Sequence, residues 1–170
     1  MTRTLSVFAA VCLIGTATLS AQMKHVDIKD AKGESIGMAM ISPEKGGGVS
    51  IALDVHGLPP GEHALHFHAV AKCEGPDFTS ATGHFNPMNK KHGMQNPDGS
   101  HAGDMNNFTV DAKGIAKTTI VNKNVTMGSE PNSIYANGGT ALMIHAAADD
   151  MKTDPAGNAG ARIACGVITK

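Results

Sequence analysis

The segment from His84 to Asp104 most constrains the fold of this chain. It reads HFNPMNKKHGMQNPDGSHAGD and holds three histidines and a final aspartate. Its many glycines, prolines and asparagines are typical of turns, so the segment is predicted to be a loop. A loop of this composition cannot bury a core of its own. Three imidazoles and one carboxylate suit a tetrahedral zinc ion, and the rest of the chain must supply a scaffold for such a loop.

The scaffold is predicted to be all-β. Long helical periodicity is absent, and short alternating segments are separated by glycine- and proline-rich turns. Strands are predicted at 24–30, 35–42, 49–55, 62–68, 106–111, 114–121, 141–146 and 161–168. This pattern favours an antiparallel sandwich or barrel. With no Trp and one Tyr in the chain, we expect an aliphatic, Met-rich core.

The N-terminus has the pattern of an export signal. A basic start at Arg3 precedes a mostly apolar run from Leu5 to Leu19 and a small residue, Ala21. We therefore predict a secretory signal peptide over 1–21 and one domain over 22–170, with a retained N-terminal anchor as the alternative. Cleavage removes Arg3 and leaves 13 of the 14 basic residues against 15 acidic ones. Nothing in this charge balance indicates a nucleic-acid partner.

The cysteine count is consistent with export. Cys12 lies in the predicted signal peptide, so Cys73 and Cys165 remain. An even count in an exported chain implies a disulfide. It would close a loop of about 90 residues and contribute on the order of 4–5 kcal/mol in the chain-entropy estimate.

Further histidines extend the metal-binding pattern beyond the loop. His66 and His68 are two residues apart in a predicted strand, so their side chains share one face. His145 stands near the end of an apolar strand. The chain contains no HExxH, which excludes a metalloprotease helix.

Donor counts favour two ions. His66, His68 and His145 offer three imidazoles, and His92, His101 and Asp104 offer two imidazoles and a carboxylate. His84 is left between the groups, and its two ring nitrogens could join both ions. The result would be a four-His site suited to copper beside a His₃Asp site suited to zinc. Spacing alone leaves this division open.

The motifs together resemble those of the copper–zinc superoxide dismutase family, and the resemblance runs over essentially the whole mature chain. The motifs that carry it are His66-Phe67-His68, Gly83-His84-Phe85-Asn86-Pro87, His92-Gly93, His101-Ala102-Gly103-Asp104 and the segment GNAGARIACG at 157–166. Only four residues separate His68 from Cys73, as in the bacterial exported branch.

The resemblance implies an eight-stranded antiparallel Greek-key β-barrel, an immunoglobulin-like sandwich with long metal-binding and electrostatic loops. It implies one copper and one zinc ion per chain. The copper ligands would be His66, His68, His84 and His145, and the zinc ligands His84, His92, His101 and Asp104. It pairs Cys73 with Cys165, places Arg162 beside the copper, and makes Asp149 an outer carboxylate that links a copper ligand to a zinc ligand.

The activity implied is disproportionation of superoxide to O₂ and H₂O₂ outside the cytoplasm, in the periplasm or extracellular space. Copper has the required one-electron couple and zinc has none. His84 would carry a proton between the two half-reactions, and Arg162 would attract the anion. Lys152 either adds to the steering or is merely solvated.

The chain departs from the family pattern at a few positions. Thr82 stands where a small residue is common, and Ala64-Leu65 replaces the usual Gly-Phe. The resemblance assigns no role to His25, His56 or His63, which we interpret as structural or surface residues.

Three other functions compete with this one. A copper- or zinc-storing barrel without turnover should have lost a copper histidine or the arginine, and this chain keeps both. Copper transfer through Met88, Met94 and Met105 competes with the ordinary gap-filling use of methionine. A zinc hydrolase needs an open coordination position, which four protein ligands do not leave. The copper donor is not indicated, and a homodimer is one possible assembly.

Overall fold

The computed structural model describes residues 23–170, so the predicted signal peptide lies outside the described residues. These residues form nine strands and two short 3₁₀ turns. The strands are β1 (Lys24–Asp30), β2 (Ser35–Pro43), β3 (Val49–Val55), β4 (Gly61–His63), β5 (Leu65–His68), β6 (Phe108–Val110), β7 (Ala116–Asn122), β8 (Thr140–His145) and β9 (Arg162–Ile168). The all-β prediction is confirmed. Among residues 23–170, no helix has the length and apolarity needed to cross a membrane.

All strand pairs are antiparallel. The larger sheet has the order β5-β8-β9-β1-β2-β3-β7, and β4 pairs with β6 in a second sheet. The curled larger sheet places β5 and β8 at one end and β7 at the other. The site described below is built on β5 and β8.

The predicted strand at 62–68 is observed as two strands, which is why nine are found where eight were expected. Gly61–His63 pairs with β6, whereas Leu65–His68 pairs with β8. The change of partner occurs at Ala64, whose N–H donates to the carbonyl of Ala147 at 2.9 Å. Its carbonyl accepts from the N–H of His145 at 3.0 Å. Backbone pairing thus turns toward β8 two residues before the first candidate copper ligand.

The core is aliphatic because alternate strand positions face inward. On β3, Val49, Ile51, Leu53 and Val55 are all buried, and the residues between them are more exposed. The expectation of a Met-rich core is wrong. Of the nine methionines in residues 23–170, the core takes only Met105 and Met143. Branched and aromatic side chains fill the interior, and most thioethers lie partly or largely exposed.

Candidate metal centre

Strands β5 and β8 present three of the predicted ligands side by side. His66 and His68 alternate with Phe67 on β5, and β8 pairs with β5 from Leu65↔Ile144 to His68↔Ala141. His145 ends β8 one position beyond that pairing. All three imidazoles are buried. The period of two in a strand therefore builds half of the site, as the sequence predicted.

The loop from His84 to Asp104 is tied to β5 by backbone hydrogen bonds around Phe67. The Phe85 N–H donates to the Phe67 carbonyl at 2.8 Å, and the Phe67 N–H donates to the Gly103 carbonyl at 3.0 Å. The Gly103 N–H donates to the Phe85 carbonyl at 2.8 Å. A Cβ at position 103 would lie 2.3 Å from the Phe67 oxygen, so only glycine allows this approach. The ties place His84 and Asp104 beside the β5 histidines.

The first ligand group consists of four imidazoles. One ring nitrogen from each of His66, His68, His84 and His145 lies within 4.8 Å of the others. Nδ1 of His66 and Nε2 of His84 are buried and have no hydrogen-bond partner. Buried nitrogens without partners are costly, and a metal ion would satisfy them. The donor set therefore fits a copper ion.

The second ligand group gathers around one oxygen of Asp104. Its Oδ1 lies 3.0 Å from Nδ1 of His84, 3.1 Å from Nδ1 of His92 and 3.3 Å from Nδ1 of His101. Zinc bonds of 2.0–2.1 Å put the ligand atoms of a tetrahedron roughly 3.3 Å apart. The group therefore already has nearly the spacing that a zinc ion needs.

Backbone donors hold the Asp104 carboxylate in place. Its Oδ2 accepts the N–H groups of Gly93 and His101, both at 2.9 Å. Burial raises the pKa of Asp104, but these hydrogen bonds and those from the three histidines outweigh it and hold the pKa far below its ordinary value. Asp104 is therefore an anion available to a cation at neutral pH.

Asp149 links the two groups from outside. It accepts a hydrogen bond from Nε2 of His66 at 2.8 Å and one from Nε2 of His92 at 3.0 Å. Burial raises the Asp149 pKa, but the two histidine bonds outweigh it and lower the pKa. Each histidine is thereby anchored at one nitrogen and presents the other, Nδ1, to its group. The resemblance implies these two contacts of Asp149, and its role as a link between bound metals stays a prediction.

Four of the candidate ligand histidines differ in their basicity. Burial lowers the pKa of His68 to about 2 and the pKa values of His84 and His145 to about 4. Burial also lowers the pKa of His92, but hydrogen bonds to Asp104 and Asp149 outweigh it and raise that pKa to about 9. His68, His84 and His145 are consequently neutral at pH 7, as metal ligation requires, whereas His92 carries a positive charge beside the two carboxylates.

Arg162 is held at the edge of the first group by two carbonyl oxygens. Its guanidinium donates to Phe78 at 2.7 Å and to Thr82 at 2.6 Å. The Thr82 carbonyl also accepts from Nδ1 of His68 at 2.8 Å. Lys152 is exposed and forms no ion pair within 4.0 Å in the described residues, so its steering role stays a prediction.

The predicted disulfide is confirmed. Cys73 and Cys165 are bonded, with their Cα atoms 5.6 Å apart and a separation of 92 positions in sequence. The bond ties β9, which begins with Arg162, to the segment that supplies both carbonyls holding the guanidinium.

The histidines without a predicted role lie outside both groups. His25 and His56 are exposed. His63 is buried, with Nδ1 at 2.7 Å from the His145 carbonyl and Nε2 at 2.8 Å from the Pro59 carbonyl. Its hydrogen bond to the His145 carbonyl helps to fix the backbone of that copper-ligand candidate.

Sequence reasoning missed Asn107. Its side-chain amide donates to the Asp149 carbonyl at 2.9 Å, and its Oδ1 accepts the Asp149 N–H at 2.9 Å. Nothing in the sequence distinguishes it from Asn106, because only tertiary packing brings it to a residue 42 positions away.

The comparisons with known proteins agree with this geometry. The family described as copper/zinc superoxide dismutase (SODC) matches residues 15–168. Superoxide dismutase (Cu-Zn) 1 of Aquifex aeolicus is 48% identical over 163 residues, covering 94% of this chain and 96% of that protein. A solved SOD-like protein from Bacillus subtilis is 37% identical with a TM-score of 0.81, covering 84% of this chain and 96% of that one. The Cu/Zn superoxide dismutase from Brucella abortus is 28% identical with a TM-score of 0.71, covering 86% and 99%.

Proposed function

Because the chain belongs to the copper/zinc superoxide dismutase family, we infer that it is an oxidoreductase that converts two superoxide anions and two protons into O₂ and H₂O₂. Its buried histidine groups are suited to holding the metals. The observation that carries the inference is the position of His84, which offers Nε2 to the first ligand group and Nδ1 to the second.

We propose one copper and one zinc ion per chain. Copper would be held by His66, His68, His84 and His145, and zinc by His84, His92, His101 and Asp104. Bound copper supplies the one-electron couple. The unpartnered nitrogens of the first group and the tetrahedral spacing of the second support this assignment.

The protein residues prepare the site for a small anion. Arg162 keeps a permanent positive charge, and its two carbonyl partners occupy only part of its set of five N–H donors. The remaining donors serve to orient superoxide. Asp104 accepts a hydrogen bond from Nδ1 of His84, so that ring nitrogen is already engaged. Nε2 is therefore the ring atom that would hold a proton and release it to the peroxide product.

The test is metal analysis combined with a superoxide-consumption assay on the oxidised mature protein. We expect one copper and one zinc per chain, and loss of activity when copper alone is removed. Metal-loaded protein that consumes no superoxide would exclude the enzyme and favour the storage barrel.

We further propose that residues 61–68 act as one strand that changes sheets at Ala64, giving an eight-stranded Greek-key barrel. Support comes from the single residue between β4 and β5. Support also comes from the turn after β6, where the Asp111 N–H donates to the Ile115 carbonyl at 2.9 Å and leads into β7. Hydrogen exchange tests this proposal. We expect the backbone amides of β6 and β7 to be as strongly protected from exchange as those of β8.

We propose that the protein is exported, with 1–21 removed. The disulfide supports an oxidising compartment. N-terminal sequencing of protein recovered from cell fractions tests the cleavage site and the compartment together. A chain that keeps residues 1–21 would favour the anchor. Homodimer formation stays a prediction, which sedimentation measures.

A further inference from the structure

The outer face of the β1–β2 hairpin carries two thioethers and an imidazole close together, away from the metal centre. On β1, Val26 and Ile28 are buried, so His25 faces outward. On β2, Ala39 and Ile41 are buried, so Met38 and Met40 face outward. His25 is exposed, Met40 is half-buried, and Met38 is 51% exposed.

The strand register brings these donors together. His25 is directly opposite Met40, and opposite residues have Cβ atoms about 4.5–5.5 Å apart. Met38 is two positions from Met40 on the same face, a rise of roughly 6.8 Å along the strand. Methionine is unbranched and flexible, so its sulfur can reach an ion between these Cβ atoms.

The neighbouring carboxylate is already engaged. Asp27, which is opposite Met38, accepts a hydrogen bond from the Ser35 hydroxyl and lies 3.8 Å from the ammonium of Lys29. Asp54, opposite Met38 on β3, lies 3.0 Å from the ammonium of Lys117, so both carboxylates beside Met38 already have cationic partners. Thioether ligands select Cu(I) over the hard divalent ions.

Packing does not explain the two methionines. Outward positions of a half-buried sheet are normally polar, because an apolar side chain gains nothing from exposure to water. Met38 lies between Asp27 and Asp54 in the pairing of three strands, where a polar residue would serve equally well. The third outward thioether near this face, Met23, is 56% exposed and precedes β1 by one residue.

We propose that His25, Met38 and Met40 form a surface Cu(I) site, separate from the buried ligand groups and independent of the dismutase reaction. Two thioethers and one imidazole give a three-coordinate site.

The test uses protein with both buried sites filled by metal and with the Cys73–Cys165 disulfide intact. The bound copper is reduced to Cu(I), and the solution is kept anaerobic. Cu(I) is titrated in competition with the chromophoric chelator bicinchoninate. We expect one additional Cu(I) per chain. Each of His25→Ala, Met38→Leu and Met40→Leu should weaken this binding at least about tenfold, since even outer-shell losses cost metal sites 10–100-fold.

Matched controls separate this site from general surface binding. His56→Ala removes another exposed histidine, and Met88→Leu removes another exposed methionine. Both should leave the additional site unchanged. The redox-inert ion Ag(I) should shift the methyl NMR signals of Met38 and Met40 and leave that of Met88 in place. The proposal is overturned if no additional Cu(I) binds, or if the controls weaken binding as much as the three site variants do.

Discussion

At the scale of single residues, Thr82 has a conformation that its side chain opposes. Its φ is 61° and its ψ is −148°, at the edge of a region populated almost only by glycine. Its carbonyl nevertheless accepts from both Arg162 and His68. The strained residue Thr82 therefore helps to position both the Arg162 guanidinium and a copper-ligand candidate.

Replacing Thr82 with Gly should relieve that strain. We expect the metal-free, oxidised protein to gain on the order of 1 kcal/mol in the free energy of unfolding, because strain of this kind costs about 1–3 kcal/mol and glycine loses part of the gain to chain entropy. Urea denaturation measures the change. Thr82→Ala keeps a Cβ and should gain less. Equal gains for both variants would indicate that the backbone at this position is not strained.

Arg162 provides the second residue-scale prediction. Arg162→Ala should lower the rate constant for superoxide about tenfold or more and flatten its dependence on ionic strength, because steering by charge contributes factors of roughly 10–10³. Arg162→Lys keeps the charge but has no planar fork for two carbonyls, so it should recover only part of the rate. Unchanged turnover in a fully metal-loaded Arg162→Ala variant would rule out anion guidance.

At the scale of elements, the loop from His84 to Asp104 (the metal loop) is joined to β5 by backbone hydrogen bonds around Phe67. The loop contributes His84 to both ligand groups but His92 to the second group alone. His84→Ala should therefore reduce the bound copper and zinc together, whereas His92→Ala should first reduce zinc. Metal analysis after dialysis against a weak chelator distinguishes these outcomes. Selective loss of the same single metal in both variants would contradict a shared ligand.

The segment between the loop and β6 acts on the site through Asn107. Its two hydrogen bonds hold the backbone of Asp149, which anchors His66 and His92. Asn107→Ala should weaken zinc binding about 10–100-fold, as is typical for outer-shell partners. Competition with a zinc chelator measures the affinity. Its exposed neighbour supplies the control, and Asn106→Ala should bind zinc like the native chain. A similar loss in both variants would point to general loosening of the segment.

The sequence predicts the features that depend on a local residue pattern, and it does not predict those that depend on long-range contacts. Strands β1 and β3 begin and end where the alternation of apolar and polar residues predicts. This holds because the buried face of a strand takes every second residue. His66 and His68 follow from the same rule. No local pattern encodes three other features, because each depends on residues distant in sequence. They are the hydrogen bonds from Asn107 to Asp149, the Thr82 carbonyl shared by Arg162 and His68, and the change of strand partner at Ala64. The Met-rich core failed as a prediction because composition does not say which face of a strand a methionine occupies.

At the scale of the whole molecule, the disulfide joins the last strand to the segment before the metal loop. It closes a chain segment of 92 positions. Replacing both cysteines with serine should lower the free energy of unfolding of the metal-free protein by on the order of 4 kcal/mol, mainly through the greater entropy of the open unfolded chain. Urea denaturation of the oxidised protein and of the double variant gives the difference. A change below about 1 kcal/mol would mean that unfolded-state entropy is not the dominant effect.

The three hydrogen bonds around Phe67 also bear on the order of events during biogenesis. They join only main-chain atoms, so they form without any ion and without any histidine in a particular protonation state. Attachment of the loop to β5 therefore does not depend on a bound metal and can precede metal binding. Cofactor capture then requires little further ordering of the loop, since that entropy was lost during folding. Attachment of the loop and binding of the metals can therefore take place at different times and in different locations.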